Sequence, residues 1–325
     1  MTTPTDPPAV TFAPVRLAAT DRGTGPVVVL LHAYPLDRGM FDALAADLAG
    51  SCRAIAVDLR GFGDSPLGTD ATAADLAAGT PRDADKPCLP ATPPGGSTRS
   101  ATGLAARPSV LPGVPTVATG LTMRLMADDV VATLDHLGVA GPVDWLGVSM
   151  GGYVALEVLA RHRSRVRSLL LCDTRATADG PEARAGRAEQ AGRVLERGSG
   201  HAADVMPAKL LGATTRAKRP EAVARLRERI AAQDPRTLAL AQRGMAARSD
   251  HAALVAAAGV PVLTLVGAED GLTPPAAMAA LAASVPGAHP VELSGVGHLA
   301  VWEDSPAAVA AIRDFLASPA GRASV

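Results

Sequence analysis

Hydrophobic positions along the chain fall into short continuous runs that alternate with segments of helical spacing. Short apolar runs are typical of buried strands, and apolar residues three or four positions apart are typical of amphipathic helices. The runs predict strands at Val27–His32, Ala54–Asp58, Val143–Gly147, Val166–Cys172, Val262–Gly267 and Pro290–Leu293. The helical spacing predicts helices at Arg38–Ala49, Met123–Leu137, Met150–His162, Ala276–Ser284 and Pro306–Ala317. This alternation indicates an α/β protein with a mainly parallel sheet and helices on both faces. Residues 11–19 and part of the segment before Val27 are expected to supply antiparallel edge strands.

Two segments interrupt the alternation of strands and helices. Residues 174–255 are helical in composition, with predicted helices at Glu182–Arg197, Glu221–Gln233 and Arg236–Arg248. Residues 67–121 are rich in Pro, Thr, Gly and Ala and lack apolar periodicity. Such a segment buries too little apolar surface to offset its ordering entropy, so we predict a disordered surface excursion. The alternative for residues 67–121 is a lid or a partner-binding segment close to the loop at 61–65.

The run Trp-Leu-Gly-Val-Ser-Met-Gly-Gly at residues 145–152 has the G-x-S-x-G pattern of a nucleophile elbow. It lies where a predicted strand meets a predicted helix, as that motif requires. The elbow lifts a serine hydroxyl above the sheet, and glycines on either side avoid collisions of a Cβ with neighbouring backbone. Ser149 is therefore the candidate nucleophile, with Gly147 and Gly151 as its flanking glycines.

A candidate acid and a candidate base follow the serine along the chain. Asp270 comes just after the predicted strand at 262–267, and His298 lies in the run Ser-Gly-Val-Gly-His near the C-terminus. Histidine suits the base because its ordinary pKa near 6.5 lets it accept and return a proton around neutral pH. The order serine, aspartate, histidine is that of α/β hydrolases and differs from that of the chymotrypsin and subtilisin types.

Five motifs together resemble the landmarks of the α/β-hydrolase superfamily. They are His32-Ala-Tyr-Pro-Leu-Asp, Asp58-Leu-Arg-Gly-Phe-Gly-Asp-Ser, Gly147-Val-Ser-Met-Gly-Gly, Gly267-Ala-Glu-Asp and Gly297-His298. The chain is most similar to small bacterial esterases and 3-oxoadipate enol-lactonase-like hydrolases. The similarity covers about residues 10–66 and 121–317.

The resemblance implies a division of the chain into three parts. Residues 10–66, 121–173 and 256–317 would form the α/β-hydrolase core. Residues 174–255 would form a helical cap over the active site, and the long segment 67–121 departs from the family as an insertion. The apolar positions of the cap are mostly Ala, Leu, Val and Met, which predicts a pocket for short acyl groups or small lactones.

The resemblance also places an oxyanion hole and a second candidate acid. The two backbone N–H donors would belong to Tyr34 and to Met150, the residue after the nucleophile. Ala33 stands where the family usually has glycine, which restricts the backbone next to the first donor. Asp173, at the end of the preceding strand, is the position that some α/β hydrolases use for the acid in place of Asp270. Glu269 is expected to be solvated.

Composition narrows the function classes. The formal net charge of −1 and the absence of a basic face or aromatic platform argue against nucleic acid as a partner. The first ten residues lack the features of a secretory signal, and no apolar run approaches the ~20 residues that span a bilayer. Cys52, Cys88 and Cys172 have no metal or redox spacing. We therefore expect a cytoplasmic protein without a membrane partner, metal or cofactor, and the oligomeric state stays open.

These features predict a cofactor-independent serine hydrolase that acts on small carboxylic esters or lactones through an acyl-enzyme. Cofactor-free haloperoxidase-like perhydrolysis and carbon–carbon bond hydrolysis are the alternatives that use the same triad. A catalytically silent α/β-hydrolase-fold binding protein is the alternative from another class. Arg175, just past a strand end, is the candidate for holding a substrate carboxylate, and a surface arginine in a solvated ion pair is the competing interpretation.

Overall fold

The computed structural model of the 325-residue chain describes residues 15–68 and 121–318. The predicted disordered excursion at 67–121 therefore lies almost wholly outside the described residues. Seven strands are present in the described part: β1 Ala19–Arg22, β2 Val27–Leu31, β3 Arg53–Val57, β4 Val143–Val148, β5 Val166–Cys172, β6 Val262–Gly267 and β7 His289–Leu293. They form one sheet in the order β1-β3-β2-β4-β5-β6-β7.

The sheet is parallel except at one edge. β1 pairs antiparallel with β3, and every other neighbouring pair runs parallel. The antiparallel edge strand occupies residues 19–22, within the predicted segment before Val27, and the described part of the predicted range 11–19 forms no strand before residue 19. Its sequence, Ala-Thr-Asp-Arg, has no apolar alternation, and pairing of Ala19 with Val57 sets its place.

Helices surround the sheet. In the core they are α1 Asp42–Leu48, α2 Met123–His136, α3 Met150–Arg161, α10 Pro275–Ser284, α11 Ala300–Glu303 and α12 Ser305–Ala317. The predicted helix at 38–49 is a short 3₁₀ turn, Arg38–Phe41, followed by α1. Every residue of β4 and β6 is buried, which is typical of parallel strands that helices cover on both faces. The predicted α/β architecture, a mainly parallel sheet with helices on both faces, is thus confirmed.

The segment between β5 and β6, which the structure describes throughout, contains helices joined by short loops and no strand, and we call residues 174–255 the helical segment. Its helices are α4 Pro181–Val205, α5 Pro207–Leu210, α6 Ala213–Lys218, α7 Pro220–Ala231, α8 Pro235–Ala246 and α9 Ala252–Ala256. α4 bends at Gly198, whose φ of 77° interrupts the helix, and it packs along α7 and α8. None of the helices in residues 15–68 and 121–318 combines the length and apolar character needed to cross a bilayer.

The registers of the sheet bring the ends of its central strands to one edge. Val148 pairs with Cys172, and Cys172 pairs with Leu265, so β4, β5 and β6 end side by side. The residues that follow these strands include Ser149, Asp173 and Asp270. Side chains at the carboxyl edge of an open α/β sheet commonly form the ligand site, and the candidate residues gather at that edge here.

Candidate active site

Ser149 occupies a strained turn between β4 and α3. Its backbone has φ 51° and ψ −110°, a left-handed conformation that residues with a Cβ rarely adopt. The turn is possible because its neighbours are glycines in close contact with backbone. A Cβ on Gly147 would lie 2.4 Å from the carbonyl oxygen of Gly151, and a Cβ on Gly151 would lie 2.0 Å from that of Leu31. The sequence around the serine therefore dictates the exposed position of its hydroxyl.

The three predicted triad side chains form two hydrogen-bonded pairs that share His298. Ser149 Oγ is 2.8 Å from His298 Nε2, and His298 Nδ1 is 2.7 Å from Asp270 Oδ2. Both distances suit a chain of hydrogen bonds from acid to base to nucleophile. Asp270 and His298 are buried, whereas Ser149 is partly exposed to a cavity above the sheet.

The loop after β6 fixes the carboxylate of Asp270. Its Oδ1 accepts hydrogen bonds from the backbone N–H groups of Leu272 at 2.7 Å and Thr273 at 2.9 Å. Oδ2 is left to accept from the imidazole of His298. An aspartate held in this way orients the ring and sets its tautomer, with the proton on Nδ1 and the lone pair of Nε2 toward the serine.

Asp173, the second candidate acid, lies beside the triad but does not hydrogen-bond the His298 ring. Its two oxygens accept from the backbone N–H groups of Gly267 and Ala300, each at 3.0 Å. Asp173 is fully buried and has a φ of 47°. Burial raises the pKa of Asp173 to about 7, and the nearby His298 and Asp270 modify that shift. Asp173 therefore connects the end of β5 to the segments next to Asp270 and His298.

Of the two predicted oxyanion donors, Tyr34 lines the same cavity as Ser149, and Met150 follows the serine directly along the chain. Met150 is the first residue of α3, so its N–H has no partner within the helix. The N–H of Tyr34 donates to no atom of residues 15–68 and 121–318. Ala33 is absent from the residues with positive φ, so its Cβ imposes no strain on this loop. The side chain of Tyr34 bonds Gln242 of α8, and burial raises the pKa of Tyr34 to about 12.

His32 orders the loop that carries Tyr34. Its Nε2 accepts a hydrogen bond from the N–H of Leu59 at 2.9 Å, and its Nδ1 lies 3.1 Å from the carbonyl oxygen of Ala33. The ring is fully buried, and this burial lowers the pKa of His32. Both ring nitrogens are thus engaged, and His298 is the histidine that faces Ser149.

A cavity of about 520 Å3 opens above Ser149 and His298. Most of its wall comes from the helical segment and is more polar than the sequence suggested. The polar side chains from that segment are Arg175, Asp179, Glu182, Arg187, Gln190, Lys209 and Gln242. Arg187 pairs with Asp179 and donates to Gln242 Oε1 at 3.1 Å. The sequence patterns did not predict this polar wall. Part of it was detectable, because residues 183, 186, 187 and 190 of α4 lie on one face of a helix.

Two further sequence expectations concern single side chains. Arg175 does line the cavity, and its guanidinium donates to the carbonyl oxygen of Leu272. Glu269 keeps contact with solvent, as expected, and it also accepts hydrogen bonds from both the hydroxyl and the N–H of Thr214 in the helical segment. These bonds, from the hydroxyl first, lower the pKa of Glu269. Its partner lies 55 residues away along the chain, a distance that local sequence patterns do not bridge.

The described residues offer no cluster for a metal ion. Within residues 15–68 and 121–318, no three His, Cys, Asp or Glu side chains are arranged to share one. Cys52 and Cys172 are both buried, and burial raises the pKa of each thiol. At the carboxyl edge of the sheet, the hydrogen bonds orient a serine, a histidine and an aspartate toward one another.

A family model described as the alpha/beta hydrolase fold matches residues 26–305, so the chain belongs to the α/β-hydrolase family. An esterase from Thermogutta terrifontis, in a structure with malate bound, is 35% identical. It superposes with a TM-score of 0.74 over 92% of each chain. The pimeloyl-[acyl-carrier protein] methyl ester esterase of Neisseria meningitidis serogroup C is 27% identical over 89% of this chain and 93% of the relative.

A third comparison extends the likeness of fold. The enol-lactonase of Burkholderia xenovorans has a TM-score of 0.72, with 23% identity over 95% of this chain and all of that one. The predicted resemblance to small bacterial esterases and enol-lactonase-like hydrolases is thus confirmed. The chain is a hydrolase of the α/β-hydrolase family with esterase-like relatives.

Proposed function

We propose that the protein is a serine hydrolase that cleaves small carboxylic esters or lactones through an acyl-enzyme, without a cofactor. The observation that carries the proposal is the alignment of Ser149, His298 and Asp270 at 2.8 Å and 2.7 Å. The esterase names of the relatives support the reaction class. The strained backbone of Ser149 supports it further, because strain of this kind persists where the surrounding structure holds a functional group in place.

The first half of the proposed reaction forms the acyl-enzyme. Ser149 Oγ bonds to the carbonyl carbon of the substrate while its proton passes to His298 Nε2. The carbonyl oxygen takes the negative charge and accepts hydrogen bonds from the N–H groups of Tyr34 and Met150. Asp270 stabilises the imidazolium through Nδ1–H. The bond to the leaving alkoxide then breaks, and the alkoxide takes the proton from Nε2 as it leaves.

The second half returns the enzyme to its starting state. A water molecule gives its proton to His298 Nε2 as its oxygen bonds to the acyl carbon. The new tetrahedral intermediate collapses, the bond to Ser149 breaks, and the serine recovers its proton. With an ester the products are an alcohol and a carboxylic acid, and with a lactone they are one hydroxy acid. Each oxyanion donor is worth roughly 2.7–4 kcal/mol of transition-state stabilisation in comparable sites.

The helical segment at 174–255 is proposed to act as the cap of this site. It supplies most of the wall of the cavity above Ser149. Arg175 at its start is proposed to hold a carboxylate of the substrate. In support, Arg175 lines the same cavity as Ser149 and His298, and the Thermogutta terrifontis esterase has bound a dicarboxylate, malate. The proposed partner is thus a small-molecule ester or lactone, and a cytoplasmic location stays a prediction.

Three alternatives use the same fold. Perhydrolysis and carbon–carbon bond hydrolysis would employ the same triad, and the bromoperoxidases among the structural neighbours, at 16% and 21% identity, share the fold alone. A silent binding protein would need no aligned triad, so the hydrogen-bonded serine and histidine favour the hydrolase.

A fluorophosphonate probe tests the proposal without knowledge of the substrate. The probe forms a covalent bond only with an activated serine, so we expect labelling of Ser149, located by mass spectrometry, and its loss in Ser149→Ala. Turnover is then measured on a panel of p-nitrophenyl esters and lactones of increasing acyl length. A wild-type protein that the probe leaves unmodified would favour the silent binding protein.

A further inference from the structure

One buried carboxylate holds the backbone on both sides of His298. Glu303 lies at the end of α11 and is only 3% exposed. Its Oε1 accepts hydrogen bonds from the N–H of Gly297 at 2.8 Å and of Leu299 at 3.4 Å. Its Oε2 accepts from the N–H of Gly212, in the helical segment, at 3.0 Å. The same side chain therefore connects the histidine loop to the helical segment.

The junction around Glu303 is tightly packed backbone. The N–H of His298 itself donates to the carbonyl oxygen of Leu210 at 3.0 Å. A Cβ on Gly297 would lie 2.3 Å from the nitrogen of Gly212, and one on Gly212 would lie 2.8 Å from the nitrogen of Gly297. Both positions thus require glycine, because the backbone segments around Gly212 and Gly297 cross in direct contact. Residues 210–212 and Glu303 together enclose the main chain of the histidine loop.

Both oxygens of the Glu303 carboxylate accept hydrogen bonds, which the amide of a glutamine could not do. Three backbone N–H groups point at its two oxygens, and its carboxylate forms no ion pair with the described residues. A glutamine has one oxygen and one NH2 group, so either orientation of its amide would set a donor against a donor. A buried N–H without an acceptor is costly, so a carboxylate suits this position better than an amide does.

We propose that Glu303 is a positioning residue of the reaction, one that fixes the His298 loop between the core and the helical segment. The inference rests on the proposed function, since it concerns how His298 Nε2 stays within reach of Ser149 Oγ. Glu303 does not line the cavity above Ser149, so it has no contact with a bound substrate. Its loss should therefore slow the chemical step and leave substrate binding unchanged. Small misplacements of a catalytic group are known to cost large factors in rate.

Two substitutions test the role of Glu303. Glu303→Gln keeps the length and shape of the side chain but loses one acceptor end, and Glu303→Asp keeps both acceptors on a shorter arm. Asp304→Ala is the control. Asp304 is the adjacent carboxylate, and it caps α12 by accepting from the N–H of Ala307 at 3.1 Å. Its removal should lower Tm without reaching His298, as expected of a lost helix cap.

The measurements separate positioning from folding. Sites that react with a fluorophosphonate are counted first, and kcat and KM for p-nitrophenyl acetate are then expressed per titrated site. For Glu303→Gln we expect kcat per site to fall at least tenfold, with KM within about twofold of wild type. The rate constant of phosphonylation should fall in parallel. In Glu303→Asp the kcat per site should fall less than in Glu303→Gln, and Asp304→Ala should keep the wild-type kcat per site.

The outcomes that overturn the inference are distinct from failure of the proposed function. Wild-type kcat per site in both Glu303 variants, with only a lower Tm, would make the role purely structural. A raised KM at unchanged kcat would assign Glu303 to binding and equally contradict the inference. If wild-type protein itself neither reacts with the probe nor turns over the ester, the proposed function fails, and the positioning role fails with it.

Discussion

Two cavities of similar volume lie at opposite ends of the sheet, and only one has the geometry of an active site. The cavity at the carboxyl edge, about 520 Å3, contains Ser149 and His298. The cavity at the amino edge, about 570 Å3, is lined by Cys52, Asp144 and Arg167 among others. Both contain charged groups and an atom that could act as a nucleophile, so neither volume nor composition distinguishes them.

The difference between the cavities lies in what their polar groups already bind. At the amino edge, Asp144 accepts from Arg167 Nε at 2.8 Å and from Ser168 Oγ at 2.7 Å, and burial raises the pKa of the Cys52 thiol. At the carboxyl edge, the Tyr34 N–H has no described partner, and the Ser149 hydroxyl faces a base. Ser149 and Asp173, both at this edge, are the non-glycine residues of the described ranges with positive φ. Backbone strain and uncommitted hydrogen-bonding groups therefore mark the site better than cavity volume does.

The largest expected effect is the loss of turnover when the three aligned side chains at the carboxyl edge are replaced. Ser149→Ala, Asp270→Asn and His298→Ala should each lower kcat by ~10⁴-fold or more and leave the fold intact. Because the three groups act as a unit, the triple variant should be little worse than the worst single one. Steady-state kinetics and circular dichroism check this. Near-wild-type turnover in Asp270→Asn, together with an inactive Asp173→Asn, would move the acid to the second candidate.

The arrangement of Ser149, Asp270 and His298 was predictable because local sequence patterns determine it. A strained elbow requires glycines on either side of Ser149, and the order of acid and base follows from the order of the strands. The roles of Glu303 and Glu269 were not predictable in this way. Their hydrogen-bond partners Gly212 and Thr214 come from the helical segment, 91 and 55 residues away, and only the packing of that segment brings them together.

The second prediction concerns the buried carboxylate of Asp173 and how stability depends on pH through it. The pKa of Asp173 is raised in the folded state to about 7 from an ordinary value of 3.8. The folded protein therefore binds this proton more tightly than the unfolded chain does, and stability falls as pH rises from about 4 to about 7. Asp173→Asn removes the titration. The difference in free energy of unfolding, wild type minus variant, should fall across that range by on the order of 4 kcal/mol.

Urea unfolding of both proteins between pH 4.5 and 8 measures that difference. A difference that stays constant with pH would show that Asp173 does not titrate in this window. Above about pH 7 no further change is expected, since the proton is then lost from both states. Any steep dependence that continues above pH 8 would have to come from another group.

The third prediction concerns stability at the amino edge. Asp144→Asn removes the charge opposite Arg167 and should lower the free energy of unfolding by about 2–3 kcal/mol. This is less than the roughly 3–5 kcal/mol typical of a broken buried pair, because 24% of the Arg167 side chain is exposed and can be hydrated. The kcat per fluorophosphonate-titrated site should stay at the wild-type value. A lower kcat per site would mean that the two ends of the sheet are coupled, and the amino-edge cavity would then influence the reaction at Ser149.

The smallest expected effect concerns the positively charged side chains of the cavity above Ser149. Arg187 is committed to Asp179, whereas Arg175 donates to a backbone carbonyl and Lys209 is exposed on the same wall. If Arg175 holds a substrate carboxylate, Arg175→Ala should raise KM at least tenfold for a lactone or ester that carries a carboxylate. The expected change for a neutral ester of equal length is less than twofold. Tenfold corresponds to about 1.4 kcal/mol, a reasonable loss for one charge-assisted hydrogen bond.

Lys209→Ala is the matched control for Arg175, because it removes a positive charge from the same cavity wall without touching the loop of Asp270. A general electrostatic attraction would affect both variants alike and would weaken at higher salt. A specific anchor would appear only in Arg175→Ala and would persist at high salt, since a partly buried contact is screened less. Equal losses on charged and neutral substrates would instead assign Arg175 to the support of Leu272 in the acid loop. The protein would then be better described as a plain esterase, with its specificity set by the polar wall of the helical segment.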